Sequence, residues 1–409
     1  MLCLSVFLFC FCISAFAQEE FPKEKTSERL IAQSNSSLWI RWTITASPDS
    51  KRVAYAAEVG NKQFVVVDGK EEKQYDYIRE YTPIFSPDSK RVAYVAEVGN
   101  KCCMVVDGKE EKKYDSLSIP IFSPDGKRVA YSAEVGNKEF VVVDGKEEKQ
   151  YDNVSIPIFS PDSKRVANKA KVGNKQFVVV DGKEEKQYDY IYTLIFSPDS
   201  KHVAYSAKVG NKWCVVVDGK AEKQYDCILD TLIFSPDSKR VAYAAVVGNK
   251  WFVVVDGKAE KKYDRIGTAL IFSPDSKRVA YVAKVGYNWC VVVDGKAEKK
   301  YDRIGTPIFS PDSRRVAYVA KVGNKQFVVV DGKAEKKYDS ILSTPIFSPD
   351  SKRVAYEAKV GDKRFVVVDG KEEKQYDDIV GKIIFDTPIS LHYPAIKNNS
   401  IYLVEEKIE

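Results

Sequence analysis

Ile121-Phe122-Ser123-Pro124-Asp125-Gly126-Lys127-Arg128-Val129-Ala130-Tyr131 decides the architecture of this chain, because near-copies of it recur along almost the whole length. The stretch continues as Ser132-Ala133-Glu134-Val135-Gly136-Asn137-Lys138-Glu139-Phe140-Val141-Val142-Val143-Asp144-Gly145, and on to Tyr151-Asp152. Ser-Pro-Asp triplets begin at Ser47, Ser86, Ser123, Ser160, Ser197, Ser235, Ser273, Ser310 and Ser348, a spacing of 37 to 39 residues. A period of that size signals a propeller or a solenoid. The distances from Ser-Pro-Asp to Asp-Gly and on to Tyr-Asp are constant, so every length change falls between Tyr-Asp and the next Ser-Pro-Asp.

Each unit reads as four short strands. Arg52 to Val59 and Lys62 to Val67 are rich in β-formers and are separated by Gly60-Asn61. Asp68-Gly69 then leads into Lys70 to Asp76. Gly-Asn and Asp-Gly are two-residue hairpin connections that need positive φ, which these residue types tolerate. The Pro-Ile-Phe-Ser segments supply a fourth strand, which turns through Pro-Asp into Arg-Val-Ala-Tyr, with Pro and Asp placed as in a type I turn. The two middle strands are apolar on both faces, so both faces must be covered, as in blades stacked around an axis. The last strand carries Lys70, Glu71, Glu72, Lys73 and Gln74, a charged edge suited to water and protected against pairing with another chain.

The Ile-Phe-Ser-Pro-Asp-Ser/Gly-Lys-Arg-Val-Ala-Tyr motif resembles the TolB-like, or WD40-like, β-propeller repeat. The resemblance implies an all-β propeller. It leaves function open, because the repeat serves as a protein-binding platform in periplasmic TolB-like proteins and as a gate domain in prolyl-oligopeptidase-like peptidases. This chain has no Gly-x-Ser-x-Gly elbow, and its only histidines are His202 and His392.

The ends predict how the ring closes. Leu391 to Val404 aligns with three strands of a degenerate tenth unit that lacks the charged fourth, and Ser27 to Trp42 holds Leu30, Ile31, Trp39 and Ile40, enough for the missing strand. The expectation is a single propeller of ten four-stranded blades closed by pairing the two termini; nine or eight blades, or an unclosed array, are the rivals. In domain terms, 1–17 reads as a signal peptide, 18–42 as a leader with the closing strand, and 43–409 as the repeat domain. Met1 to Ala17 is apolar and uncharged and ends Ala15-Phe16-Ala17, which fits a cleavage site although the basic n-region is missing. The run is shorter than the roughly 20 residues of a spanning helix. The chain is therefore expected to be exported, periplasmic or secreted, with no membrane span in its mature part, and monomeric.

The 64 basic and 58 acidic residues among 409 are interleaved, which argues against a nucleic-acid partner despite the net charge of +6. Cys3, Cys10 and Cys12 fall in the signal segment. Cys103, Cys214 and Cys290 replace a Phe in units that are not neighbours, so they read, with Cys102 and Cys227, as small buried hydrophobes rather than as disulfides or zinc ligands. No cofactor or metal is implied. The repeated Asp68, Asp107 and Asp144 are explained by the Asp-Gly turn, and Tyr75-Asp76 by a packed ring and a local hydrogen bond. His202 and His392 have no partner at ligand spacing.

Units differ most at Trp213, Trp251 and Trp289, which hold one strand position where other units carry Gln63, Cys102, Glu139, Gln176, Gln326 or Arg364. The variable connections add Tyr77, Arg79, Glu80, Tyr81, Tyr190, Tyr192, Asp230, Arg265 and Arg303. Packing is the plain explanation of the Trp row, since Trp213 and Trp289 each precede a Cys in place of Phe. The sharper one is a recognition patch of Trp213, Trp251, Trp289, Tyr190, Tyr192, Arg265 and Arg303 on the face bearing the variable connections. The function expected is a non-enzymatic scaffold for a protein or glycan, with no catalytic residue. The alternative is a hydrolase or lyase in the central channel, which buried carboxylate pairs would favour.

Overall fold

The computed structural model describes residues 26–33 and 43–408, so the signal segment, Trp39 and Ile40 lie outside the described residues. The chain forms ten antiparallel sheets, each four strands deep from the axis outward. In blade 1 these are Thr45–Ala46, Val53–Val59, Lys62–Val67 and Lys70–Tyr75. The fold is an all-β, ten-bladed propeller.

The turns form because the sequence supplies residues that accept left-handed backbone. Asp68 sits at φ +51° and Gly69 at +82°. The Asp68 carboxylate accepts the Val53 N–H at 3.0 Å and Arg52 Nε at 2.7 Å, fastening the start of the second strand to the end of the third. Ser47 closes its turn by accepting the Ser50 N–H at 2.7 Å, and its hydroxyl donates to Asp49 at 2.5 Å. Where the tenth unit lacks Gly-Asn, Asn398 and Asn399 take φ +50° and +59° instead.

Packing lies between blades, as strands apolar on both faces require. Ala54, Ala56, Val65 and Tyr75 of blade 1 bury against Ile78, Tyr94, Cys103 and Val105 of blade 2. Such side chains contribute about 1.5–3 kcal/mol each relative to exposure, so each junction outweighs any surface ion pair. Cys103, Cys214 and Cys290 are buried in these junctions, and burial pushes their thiols up. Among the described residues all five cysteines are free.

Polar groups stitch the junctions at both ends of the strands. At one end, Asp49 N–H donates to Ser89 Oγ of the next blade at 3.0 Å, and the Arg52 guanidinium reaches the Ser89 and Lys90 carbonyls at 2.8 and 2.7 Å. His202 stands in for this Arg in blade 5; its ring meets Asp218 at 2.6 Å. At the other end, Asp76 accepts the Gly99 N–H of the next blade at 2.7 Å. The Asp of Tyr-Asp thus makes the local contact the sequence points to, with Lys62 of its own blade, and also bridges to the next blade, because the crossover places it beside the following Gly-Asn turn.

Closure uses both termini. Thr26–Gln33 pairs antiparallel with Ser400–Lys407, whose other neighbour is Ser390–Lys397. Glu28 accepts Lys374 Nζ at 2.6 Å, the place Glu110 takes toward Lys73 in blade 2. Blade 10 also docks on blade 1: Ile396 and Ile401 pack among Val53, Tyr55 and Phe64. The buried His392 joins the two, with Nδ1 on Asp386 at 2.8 Å and Nε2 on the Asp49 carbonyl at 2.8 Å.

The variable connections are not loops on a face. In blade 2, Tyr77–Ile78 and Ile84–Phe85 both pair with Val92–Val98, so the variable residues between them interrupt the innermost strand. In blades 5 and 7 that strand is continuous, Tyr190–Phe196 and Arg265–Phe272, and register shifts absorb the extra residues. The second residue after Tyr-Asp explains this: Ile78, Ile191 and Ile266 are buried, which draws the chain onto the sheet as soon as it enters the new blade.

Candidate functional site

The second residue of each third strand points into the junction with the following blade. Where it is Gln or Glu, its oxygen accepts a backbone N–H of the next innermost strand: Gln63 from Ile78 at 2.9 Å, Glu139 from Val154 at 3.0 Å, Gln176 from Ile191 at 2.8 Å and Gln326 from Ile341 at 2.7 Å. Trp213, Trp251 and Trp289 replace that acceptor with an indole, which only donates. Each Trp is half-buried and packs in its junction, Trp213 against the Tyr225 and Ile228 cluster and Trp251 against that of Ile266 and Leu270.

These junctions open onto one cavity of about 1070 Å³ spanning blades 5 to 8. Its lining includes Trp213, Trp251, Trp289, Tyr190, Tyr192, Arg265 and Arg303, so the structure brings all seven sequence-derived positions together. The location differs from the expected face: with the variable residues in the innermost strands, the cavity opens on the axis side. Ile228, Leu229, Ile266, Ile304 and Val282 complete an apolar wall. Tyr77 and Arg79, in blade 2, do not line it.

Aromatic and cationic groups interlock there. Tyr190 lies edge-on to Trp213 at 6.0 Å and roughly parallel to Tyr192 at 6.5 Å. The Arg265 guanidinium sits 5.4 Å above the Trp251 ring, Lys284 5.8 Å above Trp289 and Lys208 5.9 Å above Trp213. Asp230 accepts the Thr193 hydroxyl at 2.7 Å. Lys169 donates to the Tyr192 carbonyl at 2.7 Å, and burial holds its ammonium below the usual lysine range, partly offset by Asp230.

Two features escaped the sequence reading. Gly267 lets the blade 7 innermost strand approach closely, since a Cβ there would lie 3.3 Å from Val282 Cβ and 3.6 Å from the Trp289 ring. The signal was available as the repeated tetrapeptide Arg265-Ile266-Gly267-Thr268 and Arg303-Ile304-Gly305-Thr306. The second is a cluster at the junction of blades 9 and 10. Arg364 holds Asp378 at 2.6 Å and Glu357 at 3.4 Å, and burial pushes the Glu357 carboxyl up to about 7. Among the described residues no group of His, Cys, Asp and Glu converges as a metal site, and no helix is long and apolar enough to cross a membrane.

Ring and cavity together define a ten-bladed β-propeller with an aromatic, cation-bearing cavity on its axis side. Solved structures similar to it include proteins described as β-propellers or propeller domains. TolB from Acinetobacter baumannii is 14% identical over 62% of this chain and 64% of its own, at a TM-score of 0.30. The β-propeller domain of the Trilobed protease from Pyrococcus furiosus is 16% identical over 63% of this chain and 94% of its own, at 0.34. A eukaryotic initiation factor is 14% identical over 81% of this chain and 97% of its own, at 0.49. No family model and no curated protein matches the chain. The ten sheets themselves, not these distant likenesses, define the fold.

Proposed function

We propose that this chain is an exported, non-enzymatic β-propeller that binds a protein or glycan partner in the cavity between blades 5 and 8. One observation carries the reading: seven of the positions where near-identical units depart from their own rule, in blades 5 to 8, line a single cavity, while Tyr77, Arg79 and Arg364 depart from it elsewhere. A repetitive surface offers no selectivity, and aromatic and Arg side chains supply a disproportionate share of binding energy. The cavity is also large enough for a ligand of several rings. Export rests on the apolar Met1 to Ala17 segment and its Ala15-Phe16-Ala17 end.

The test is capture of exported material by the wild-type protein and by the triple variant Trp213→Gln, Trp251→Gln, Trp289→Gln. Gln is the residue that three other units carry there, so the variant should keep its melting temperature within a few degrees and lose the partner. A variant that melts early yet binds as before would make the row packing alone.

The enzyme reading has one observation in its favour, the buried Glu357 carboxyl near neutral pKa beside Asp378. A carboxyl of that kind suits acid catalysis, but Arg364 clamps it and it does not line the cavity. Glycan or peptide turnover that disappears in Glu357→Gln would establish that reading instead.

A further inference from the structure

Arginines at the positions where units differ come in two kinds. Arg79 is met by Glu97 at 3.4 Å, and Arg364 by both Glu357 and Asp378. Arg265 and Arg303 have the opposite arrangement. Each stands directly across the strand pair from a lysine, Arg265 from Lys284 and Arg303 from Lys321. Like charges in directly opposed positions are destabilising. Among the described residues no carboxylate forms an ion pair with any of the four within 4 Å; Asp264 is felt by Lys284 but is engaged by Lys250 at 3.2 Å and by the Gly286 N–H at 2.9 Å. Two adjacent blades thus hold unneutralised cation pairs next to indole rings.

The arrangement also repeats. Blade 7 presents Arg265, Gly267 and Thr268 to the cavity, with Arg265 over Trp251 of the preceding blade and Lys284 over its own Trp289. Blade 8 presents Arg303, Gly305 and Thr306 to the cavity that Trp289 also lines, with Lys321 in the adjoining one. The site extends further still, because a second cavity of about 340 Å³, holding Lys321 and Gln326, shares the Arg303 to Thr306 stretch with the first. The result is a trough with cations and aromatic rings at one-blade spacing.

We propose that this trough binds an anionic polysaccharide, one carrying a carboxylate or sulfate on its sugar rings. This rests on the reading of the cavity as a binding site and names its ligand class. A ligand whose charges and rings recur matches two copies of one subsite, whereas an acidic peptide would need the same side chains repeated. Guanidinium groups pair with carboxylate or sulfate oxygens through two parallel hydrogen bonds. The indole and phenol rings offer apolar surface to sugar faces, and the Thr268 and Thr306 hydroxyls can donate to or accept from sugar hydroxyls.

The experiment is calorimetric titration of the full chain with alginate oligomers, dextran sulfate, neutral dextran and poly-L-glutamate. At least one of the two acidic polysaccharides should bind, with the carboxylated and sulfated arms showing which anion is preferred. Neutral dextran and poly-L-glutamate should bind about tenfold more weakly or not at all. Arg265→Gln with Arg303→Gln should cost at least about tenfold in affinity, the loss of roughly one charge-assisted contact or more, and should flatten the salt dependence. Equal binding of poly-L-glutamate would reduce the site to bare charge, equal binding of neutral dextran would make the arginines irrelevant, and no binding of either acidic polysaccharide would overturn the proposal. The scaffold reading fails separately, only if the triple Trp variant captures exported material as the wild type does.

Discussion

Arg303 in blade 8 and Arg364 in blade 9 belong to adjacent units of one repeating design, yet their electrical surroundings are opposite. Arg364 lies in the junction with blade 10, satisfied by Asp378 and Glu357. Arg303 is exposed on the trough wall and faces Lys321 across the strand pair. The difference teaches how a near-perfect repeat acquires a site. Each blade offers the same few positions toward the axis, and the fold tolerates almost any residue there because stability comes from the Val, Ala and Tyr layers between blades. Arg364 meets counter-charges from its own blade and the next, whereas Arg303 meets a like charge across its strand pair.

Both arginines depend on a closed ring, and the largest effect should come from opening it. Deleting residues 400–409 removes the strand that pairs with both Thr26–Gln33 and Ser390–Lys397 and bares two sheet edges. The melting temperature should fall by about 10 °C or more; an unchanged melting curve would show that the terminal strands do not hold the ring.

Next comes Arg364→Ala set against Arg303→Ala. The first leaves the mostly buried Glu357 and Asp378 facing each other without their cation and should cost about 3 kcal/mol in urea unfolding. The second removes an unpaired, exposed cation and should change stability by less than about 0.5 kcal/mol. Equal losses in the two variants would erase the distinction between the sectors.

Glu357 gives that distinction a pH signature. Its carboxyl holds a proton more tightly folded, with a pKa of about 7, than the 4.5 of an ordinary Glu. The unfolded chain therefore binds fewer protons across that window, and the stabilisation is full below about pH 4.5 and lost as pH rises through about 7. Glu357→Gln should flatten this fall, gaining on the order of 1–3 kcal/mol on the wild type between pH 5 and 8. The surface Asp carboxylates such as Asp76 and Asp115 are held below their usual range by lysine and backbone N–H donors, so they titrate outside the window. Parallel pH profiles for the two proteins would remove Glu357 from the account.

The smallest effect should be Lys321→Glu, which gives Arg303 the counter-charge that Glu97 gives Arg79. Stability should rise by about 0.2–1 kcal/mol, while affinity for an acidic polysaccharide falls. A variant that binds as before would leave the unpaired cations without a role.

Architecture was legible in the chain because it depends on local chemistry repeated nine times. Asp-Gly and Gly-Asn dictate hairpins wherever they occur, Val-Val-Val beside Val-Ala-Tyr demands cover on both faces, and the three-strand final unit declares a missing partner. The seven departures from the repeat were legible too, since an irregular residue stands out against identical neighbours. What only the tertiary structure decided is where those residues point and what they meet. The ring brings neighbouring blades into contact, so Trp251 of blade 6 comes to lie under Arg265 of blade 7, while strand order within blade 7 sets Trp289 against Gly267. The pairing of Arg303 with Lys321 but of Arg364 with Asp378 depends on strand register and on which sheet face enters which junction. Register is set by the buried apolar layer as a whole, and no single unit read alone contains it.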